Sequence, residues 1–321
     1  MRRPAARPIV AALAGLSVLL TACAPTSGNP QGSNGDGTVD VVASTSVYGD
    51  IVAAIGGDKV KVNSIITRTS QDPHSYEATT QDKLAVSKAE LVVENGGGYD
   101  DFIHKLADDT GLDQSKVLNA VELSGLAPEG TAGPSATADA GGDSHGPAGF
   151  NEHIWYSLPA MGRLADAVAA RLGELEPSSA GTFRSNAAAF KDSLGGLEAK
   201  LAGIRASAGG ASVAVTEPVP LYLLDAAGLK NQTPDGYTAA IEEDTDVPPA
   251  VLKAATDLMA SGSIRLLAYN PQTEGPQTIA VKNAAASAGV PVVNFSETLP
   301  DGKSYLQWMA DNVDNIGKAL A

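Results

Sequence analysis

Two kinds of apolar pattern alternate along this chain. Short apolar runs predict buried strands, and apolar residues that recur every three or four positions predict helices packed on them. Strands are predicted at 39–44, 59–66, 91–94, 117–121, 212–215, 264–269 and 290–293. Helices are predicted at 46–57, 80–89, 99–108, 218–227, 249–261, 277–288 and from 304 onward. Strands that alternate with helices at this spacing indicate parallel sheets.

The middle of the chain has a different pattern. From Leu158 to about Ser207 apolar residues keep the helical spacing and strand signals are almost absent, with Pro177 as the one clear break. We therefore expect an α/β fold with two Rossmann-like βα lobes, joined by a long rigid helix. The predicted N-terminal lobe is 39–157, the linking helical segment 158–208, and the C-terminal lobe 209–321.

Residues 124–149 interrupt the first lobe. The segment is rich in Gly, Ala, Pro, Ser and Asp and has no hydrophobic periodicity. This composition predicts a mobile surface loop.

The first residues have the pattern of a secretory signal, predicted for 1–22. Basic residues precede an apolar run that is shorter than the roughly 20 residues of a membrane-spanning helix. The run ends in Leu20-Thr-Ala-Cys23, which resembles the lipobox of bacterial lipoproteins, and Cys23 is the only cysteine in the chain. We expect lipidation of Cys23 and a flexible tether over 23–38, with a chance cysteine behind an ordinary signal as the alternative.

Composition excludes some partners. The formal net charge is −15, and hydrophobic residues make up 43% of the chain while aromatic residues make up 5%. Such an acidic surface argues against nucleic acid and against adhesion to anionic lipid headgroups. The scarcity of aromatic residues and the long helical segment argue against a cleft for a small organic solute.

The candidate chemistry centres on two of the four histidines. His74 lies in Asp72-Pro-His-Ser-Tyr-Glu-Ala-Thr79, directly after the second predicted strand, where parallel sheets bind ligands. His153 lies in Asn151-Glu-His-Ile-Trp-Tyr156, at the start of the helical segment. Taken alone, each is more often a hydrogen-bonded structural histidine than a ligand.

The two motifs together resemble those of the zinc/manganese solute-binding lipoproteins of metal ABC transporters. The usual forms there are Asp-Pro-His-x-Tyr-Glu-Pro-Thr and Asp-Pro-His-x-Trp. The likeness runs from Val39 to the C-terminus and includes Glu94-Asn-Gly-Gly and Asn270-Pro-Gln. Ala78 replaces the usual proline, and Asn151-Glu152 replaces Asp-Pro before the second histidine.

The resemblance implies a four-ligand metal site: His74, His153 and two C-terminal carboxylates. The third ligand would be Glu217, where the zinc branch has histidine and the manganese branch glutamate. If Glu217 is not the ligand, the remaining candidates are Asp225, Asp235 and Glu242. The fourth would be Glu297, with Asp301 as the nearby alternative. For either glutamate, a solvated loop carboxylate is the competing interpretation.

The resemblance further implies an extracytoplasmic monomer, lipid-anchored to the outer face of the cell membrane, that delivers one Zn²⁺ or Mn²⁺ ion to an ABC permease and its ATPase. Two imidazoles and two carboxylates suit either metal and suit calcium poorly. The Irving–Williams order favours zinc by a small margin, while Glu217 points to manganese.

The other two histidines have weaker roles. His104 is predicted on a helix surface, and His145 is an auxiliary metal-capture candidate in the loop or an ordinary loop residue.

The rival functions are a lipid-anchored zinc hydrolase and a metal-dependent surface adhesin. The chain contains no His-Glu-x-x-His motif, and no Gly-x-Ser-x-Gly sequence stands at a strand-to-helix elbow, so we expect no enzymatic activity.

Overall fold

The computed structural model describes residues 37–127 and 150–321, which contain two parallel four-stranded sheets. The first sheet has the order β2-β1-β3-β4 and the second has the order β6-β5-β7-β8. The strands of the first sheet are β1 Val39–Thr45, β2 Val60–Ile66, β3 Leu91–Glu94 and β4 Val117–Asn119. Those of the second are β5 Ser212–Val215, β6 Lys230–Asn231, β7 Ile264–Tyr269 and β8 Val292–Asn294. The predicted fold class is confirmed.

Eleven α-helices accompany the sheets in this described part of the chain. Around the first sheet and between the sheets they are α1 Ser46–Gly56, α2 Thr80–Lys88, α3 Asp101–Thr110, α4 Ala120–Ser124, α5 Leu158–Leu175 and α6 Ala180–Ala208. Around the second sheet they are α7 Leu221–Ala226, α8 Tyr237–Glu242, α9 Pro249–Ala260, α10 Pro276–Ser287 and α11 Tyr305–Leu320. None of these helices is long and apolar enough to cross a membrane.

Local sequence explains several helix ends. The Thr79 side chain accepts a hydrogen bond from the backbone N–H of Asp82, and the Asp82 carboxylate accepts one from the N–H of Thr79, so α2 begins at a capping box. Ser304 and Gln307 form the same arrangement at the start of α11. Both satisfy backbone donors that a helix N-terminus otherwise leaves unpaired.

The predicted helical segment is present, and Pro177 divides it. A short 3₁₀ turn at Pro177–Ser179 separates α5 from α6, which pack against each other. Helix α6 has 29 residues and is therefore about 43 Å long. Its Asn186 side chain donates to the carbonyl of Ile55 in α1, and its Lys200 pairs with Asp314 of α11 at 2.7 Å. One helix thus contacts elements next to both sheets.

A continuous set of buried apolar side chains connects the sheets through these helices. It includes Val41 of β1, Leu172 of α5, Leu194 of α6, Leu266 of β7 and Met309 of α11. Because both sheets pack on the same core, separating them would expose apolar surface, and the linking helices hold the sheets as one packed unit.

Some predicted elements need correction. Val121 was expected at the end of a strand, but β4 ends at Asn119, whose side chain accepts from the backbone N–H of Glu122 and starts α4. Helix α7 begins at Leu221 rather than 218, and β6 and α8 were not predicted. Strand β6 has two exposed residues and α8 only six, too few for a periodic pattern. The predicted signal 1–22, Cys23, most of the tether 23–38 and His145 lie outside the described residues.

Candidate metal centre

The sequence-predicted site residues lie in loops that follow strands of both sheets. His74 follows β2, Glu217 follows β5 and Glu297 follows β8, each at the carboxyl end of its strand. His153 comes just before α5. Since the carboxyl ends of parallel strands lie along one edge of a sheet, this placement brings polar side chains from two sheets to one cleft.

His74 is held by its own loop. Asp72 accepts hydrogen bonds from the His74 backbone N–H at 3.0 Å and from the Ser75 hydroxyl at 2.7 Å. The His74 ring lies edge-on to Tyr99, with 5.0 Å between ring centroids, and its side chain is 20% exposed. This imidazole is therefore fixed in place but remains accessible to a solute.

His153 is buried, with 1% exposure. The Asn151 Oδ1 atom lies 2.8 Å from His153 Nδ1, and the ring packs against Trp155. Burial, and secondarily the nearby His74, holds the pKa of His153 well below its usual value. The ring is thus a neutral imidazole, which is the form that binds metal ions.

Glu217 and Glu297 are connected by one amide. The side-chain nitrogen of Asn270, the residue after β7, donates to Glu217 Oε2 and, at 2.7 Å, to Glu297 Oε1. Thr273 donates a further bond to Glu217 Oε2 at 2.7 Å. The two carboxylates are 3% and 5% exposed. They are oriented by neutral donors and lack a cationic partner in these contacts.

Among the residues that the structure describes, two groups of potential donor atoms share His153. One donor atom from each of His74, His153 and Glu297 lie within 4.8 Å of one another, and the same holds for Glu152, His153 and Glu242. Glu217 belongs to neither group and is connected to the first through Asn270. The cleft therefore combines two imidazoles with several carboxylates.

The electrostatics of this cleft favour a cation. Burial, followed by the neighbouring Glu217, raises the pKa of Glu297 to about 8. Burial also raises the pKa of Glu217 to about 7, and burial together with nearby glutamates raises that of Glu242 to about 8. Ionising such mutually repelling carboxylates costs free energy, and a bound divalent ion would offset that cost.

Sequence reasoning missed part of this cleft. Glu152 Oε1 lies 3.8 Å from His74 Nε2, and Glu242 Oε1 lies 3.9 Å from His153 Nδ1. Glu152 was noted only as a departure from a motif, and Glu242, named from sequence only as a fallback for the third ligand, belongs to the unpredicted α8. The only available signal was a glutamate beside a candidate ligand. Asp301, the alternative fourth ligand, is exposed and lies outside both groups.

The expected surface residue His104 is partly exposed, at 40% of its side chain. Its Nδ1 atom lies 3.6 Å from an oxygen of buried Glu94 and its Nε2 atom 3.8 Å from Asp108. The neighbouring Glu94 carboxylate is the main cause that raises the pKa of His104 to about 9. His104 therefore pairs with a buried acid away from the two donor groups.

Comparison with known proteins decides the family. The model of the periplasmic zinc-uptake complex component A family (ZnuA) matches residues 41–319. The chain belongs to this family. A manganese ABC transporter substrate-binding lipoprotein, scaA of Streptococcus gordonii, is 25% identical over 321 residues, covering 94% of each chain.

Solved structures share the fold of this ZnuA-family chain. A mutant of the laminin-binding adhesin Lmb from Streptococcus agalactiae matches with a TM-score of 0.69 and 21% identity, over 88% of this chain and all of that one. The periplasmic zinc-binding protein TroA from Treponema pallidum matches with a TM-score of 0.67 and 20% identity, over 89% of this chain and all of that one.

Family membership gives the coarse function. The chain is an extracytoplasmic, metal-binding, substrate-binding component of an ABC transporter, and such a component works with a membrane permease and an ATPase. It is a solute-binding protein and not an enzyme, as the sequence led us to expect.

Proposed function

We propose that this protein captures one divalent transition-metal ion, zinc ahead of manganese, between its two sheets and delivers it to the permease. His74, His153, Glu217 and Glu297 are the proposed ligands. The metal is cargo, so the site must bind it and later release it. We further propose that the protein is a monomer whose Cys23 carries the lipid anchor.

The observation that carries this proposal is the convergence of three donors from separate loops. Potential donor atoms of His74, His153 and Glu297 lie within 4.8 Å of one another. Donors placed tetrahedrally about 2.1 Å from one zinc ion lie about 3.4 Å apart. A contraction of at most about 1.4 Å would therefore bring these three groups into one coordination shell.

Glu217 would complete the shell from the C-terminal side. Only one of its oxygens, Oε2, accepts the hydrogen bonds from Asn270 and Thr273. The other oxygen can then face an ion while these bonds keep the carboxylate oriented. Since Asn270 also holds Glu297, the two proposed carboxylate ligands would respond to the ion together.

The preference for zinc follows from the two imidazoles. Nitrogen-rich sites bind zinc more tightly than manganese, whereas carboxylates suit manganese well. The named relatives include proteins described for each metal, scaA for manganese and TroA for zinc. We therefore expect the site to bind zinc more tightly than manganese without excluding manganese.

Metal titration in competition with a chelator tests the ligand set. His74→Ala and His153→Ala should each weaken zinc binding by at least about 100-fold, because the remaining donors cannot close the shell. His104→Ala, a matched histidine outside both donor groups, should retain wild-type affinity. Full affinity in the His74 or His153 variant would refute the proposed site.

A further inference from the structure

The side chain of Asn151 contacts both the buried histidine and the C-terminal half of the protein. Its Oδ1 atom accepts a hydrogen bond from the backbone N–H of His153 at 3.1 Å and lies 2.8 Å from His153 Nδ1. Its Nδ2 atom donates to the carbonyl of Pro218 at 3.0 Å. Pro218 follows Glu217 after β5, so this one amide links loops that belong to different sheets.

The partners of Asn151 fix the orientation of its amide. A backbone N–H can only donate a hydrogen bond, so the atom facing the N–H of His153 must be the amide oxygen. A backbone carbonyl can only accept, so the atom facing Pro218 must be the amide nitrogen. Exchanging the two atoms would break both bonds and would place donor against donor and acceptor against acceptor at a partly buried position.

The amide orientation also determines the tautomer of His153. Because the oxygen of Asn151 is an acceptor, the His153 Nδ1 atom next to it must carry the proton. The neutral ring then keeps its lone pair on Nε2, which is the nitrogen left for a metal ion. The ring is 1% exposed, so the protein surrounds it almost completely.

A second contact reinforces the link between the loops. The hydroxyl of Tyr222, in α7, donates to the backbone carbonyl of Asn151 at 2.7 Å. Helix α7 begins three residues after Pro218, so Asn151 is bound at two points of the same C-terminal segment. An aspartate at position 151 could still accept from His153, but it could not donate to Pro218.

We propose that Asn151 is a positioning residue that holds His153 with its proton on Nδ1 and ties this histidine to the loop that carries Glu217. The two functions need an acceptor and a donor on one side chain. Only an amide supplies both at this length, so asparagine is required where a carboxylate would serve His153 alone. This positioning of His153 exists in the metal-free protein. It rests on the proposed function only in that a correctly held His153 would serve metal binding.

The first experiment determines the tautomer. In metal-free protein labelled with ¹⁵N in histidine, the two ring nitrogens of a neutral imidazole have distinct chemical shifts. The signal of His153, assigned by its loss in His153→Gln, should show a protonated Nδ1. It should do so again in Asn151→Asp, whereas Asn151→Ala should no longer have a single fixed tautomer. A wild-type ring protonated on Nε2 would overturn the proposal.

The second experiment measures the tie to the C-terminal segment by amide hydrogen exchange in metal-free protein. Asn151→Asp should accelerate exchange over 219–224 by about fivefold to tenfold, the effect of losing one hydrogen bond on local opening. Asn231→Asp is the matched control, because the Asn231 side chain accepts from Thr233 and makes no link between the sheets. Exchange over 219–224 should be unchanged in that control.

These outcomes separate this proposal from the proposed function. Unchanged exchange over 219–224 in Asn151→Asp would refute the tie, whatever the metal affinity. Conversely, a protein with the Nδ1 tautomer and the faster exchange that nevertheless bound neither zinc nor manganese would refute metal capture and leave the role of Asn151 intact.

Discussion

The carboxylates of the cleft should make the stability of the metal-free protein fall as pH rises from 6 to 8. The pKa of Glu297 and that of Glu242 are raised to about 8, and that of Glu217 to about 7. A carboxyl whose pKa is higher in the folded than in the unfolded state holds a proton that the unfolded chain has lost. The folded state is therefore progressively penalised as pH rises through this window.

The size of the effect follows from linkage. Each proton held only by the folded state lowers the free energy of unfolding by about 1.4 kcal/mol per pH unit. If the folded state holds on average one proton more than the unfolded chain between pH 6 and 8, the free energy of unfolding falls by about 3 kcal/mol. For a domain of this size, that loss corresponds to a decrease in melting temperature of roughly 5–10 °C.

Other groups titrate in the same window, so a variant must isolate the cleft. His153, with its lowered pKa, opposes the trend by about 1 kcal/mol, because the unfolded imidazole is partly protonated at pH 6. Glu297→Gln removes one repelling carboxylate and should reduce the pH dependence by about 1–2 kcal/mol. Glu198→Gln, an exposed glutamate on α6, is the matched control and should leave the pH dependence unchanged.

The assay is urea unfolding at pH 6, 7 and 8 with chelator present, repeated with saturating zinc. Zinc should stabilise the protein more at pH 8 than at pH 6, because a metal ion binds the ionised carboxylates. A metal-free stability that stays level or increases between pH 6 and 8 would refute the reasoning. An identical slope in wild type and Glu297→Gln would also refute it.

Three further predictions concern selectivity, the anchor and the N-terminal sheet. Glu217→His should raise the ratio of zinc to manganese affinity in competition titrations while the metal-free melting temperature stays constant, and an unchanged ratio would exclude Glu217 as a ligand. Cys23→Ser should abolish fatty-acid labelling and release the protein from the membrane, and persistent labelling would contradict the lipobox interpretation. His104→Ala should lower stability by about 1 kcal/mol, the value for a half-exposed pair with Glu94. Because the folded pKa of His104 is raised to about 9, this loss should be full below about pH 6.5 and should disappear as pH rises through 9, which unfolding at pH 6 and pH 10 would show.

The sequence alone determined the fold class and most elements. The runs that became β1, β3 and β7 are mostly apolar, as is typical of strands covered on both faces, and the regular spacing from Leu158 to Ser207 predicted helix. The predicted starts of the helices at 80 and 304 lie within one residue of the observed starts, Thr80 and Tyr305. These signals are local, so no tertiary information was needed to find them.

The sequence also identified which loops carry the candidate site. The two histidine motifs and Glu217 each follow or precede a predicted element, and their spacing does not depend on how the sheets pack. Sequence could not show that His74, His153 and Glu297 converge within 4.8 Å, because these residues are separated by up to 223 positions along the chain. Convergence depends on how α5 and α6 set the two sheets against one core.

Only the tertiary structure revealed the second set of groups around His153. Glu242 lies on a six-residue helix too short for a periodic signal, and Asn270 joins two carboxylates that are 80 residues apart. The role of Asn151 is likewise invisible in sequence, where it is one amide in place of a carboxylate. Its meaning depends on Pro218, 67 residues away, because only this packing brings the Asn151 amide within hydrogen-bond reach of the Pro218 carbonyl.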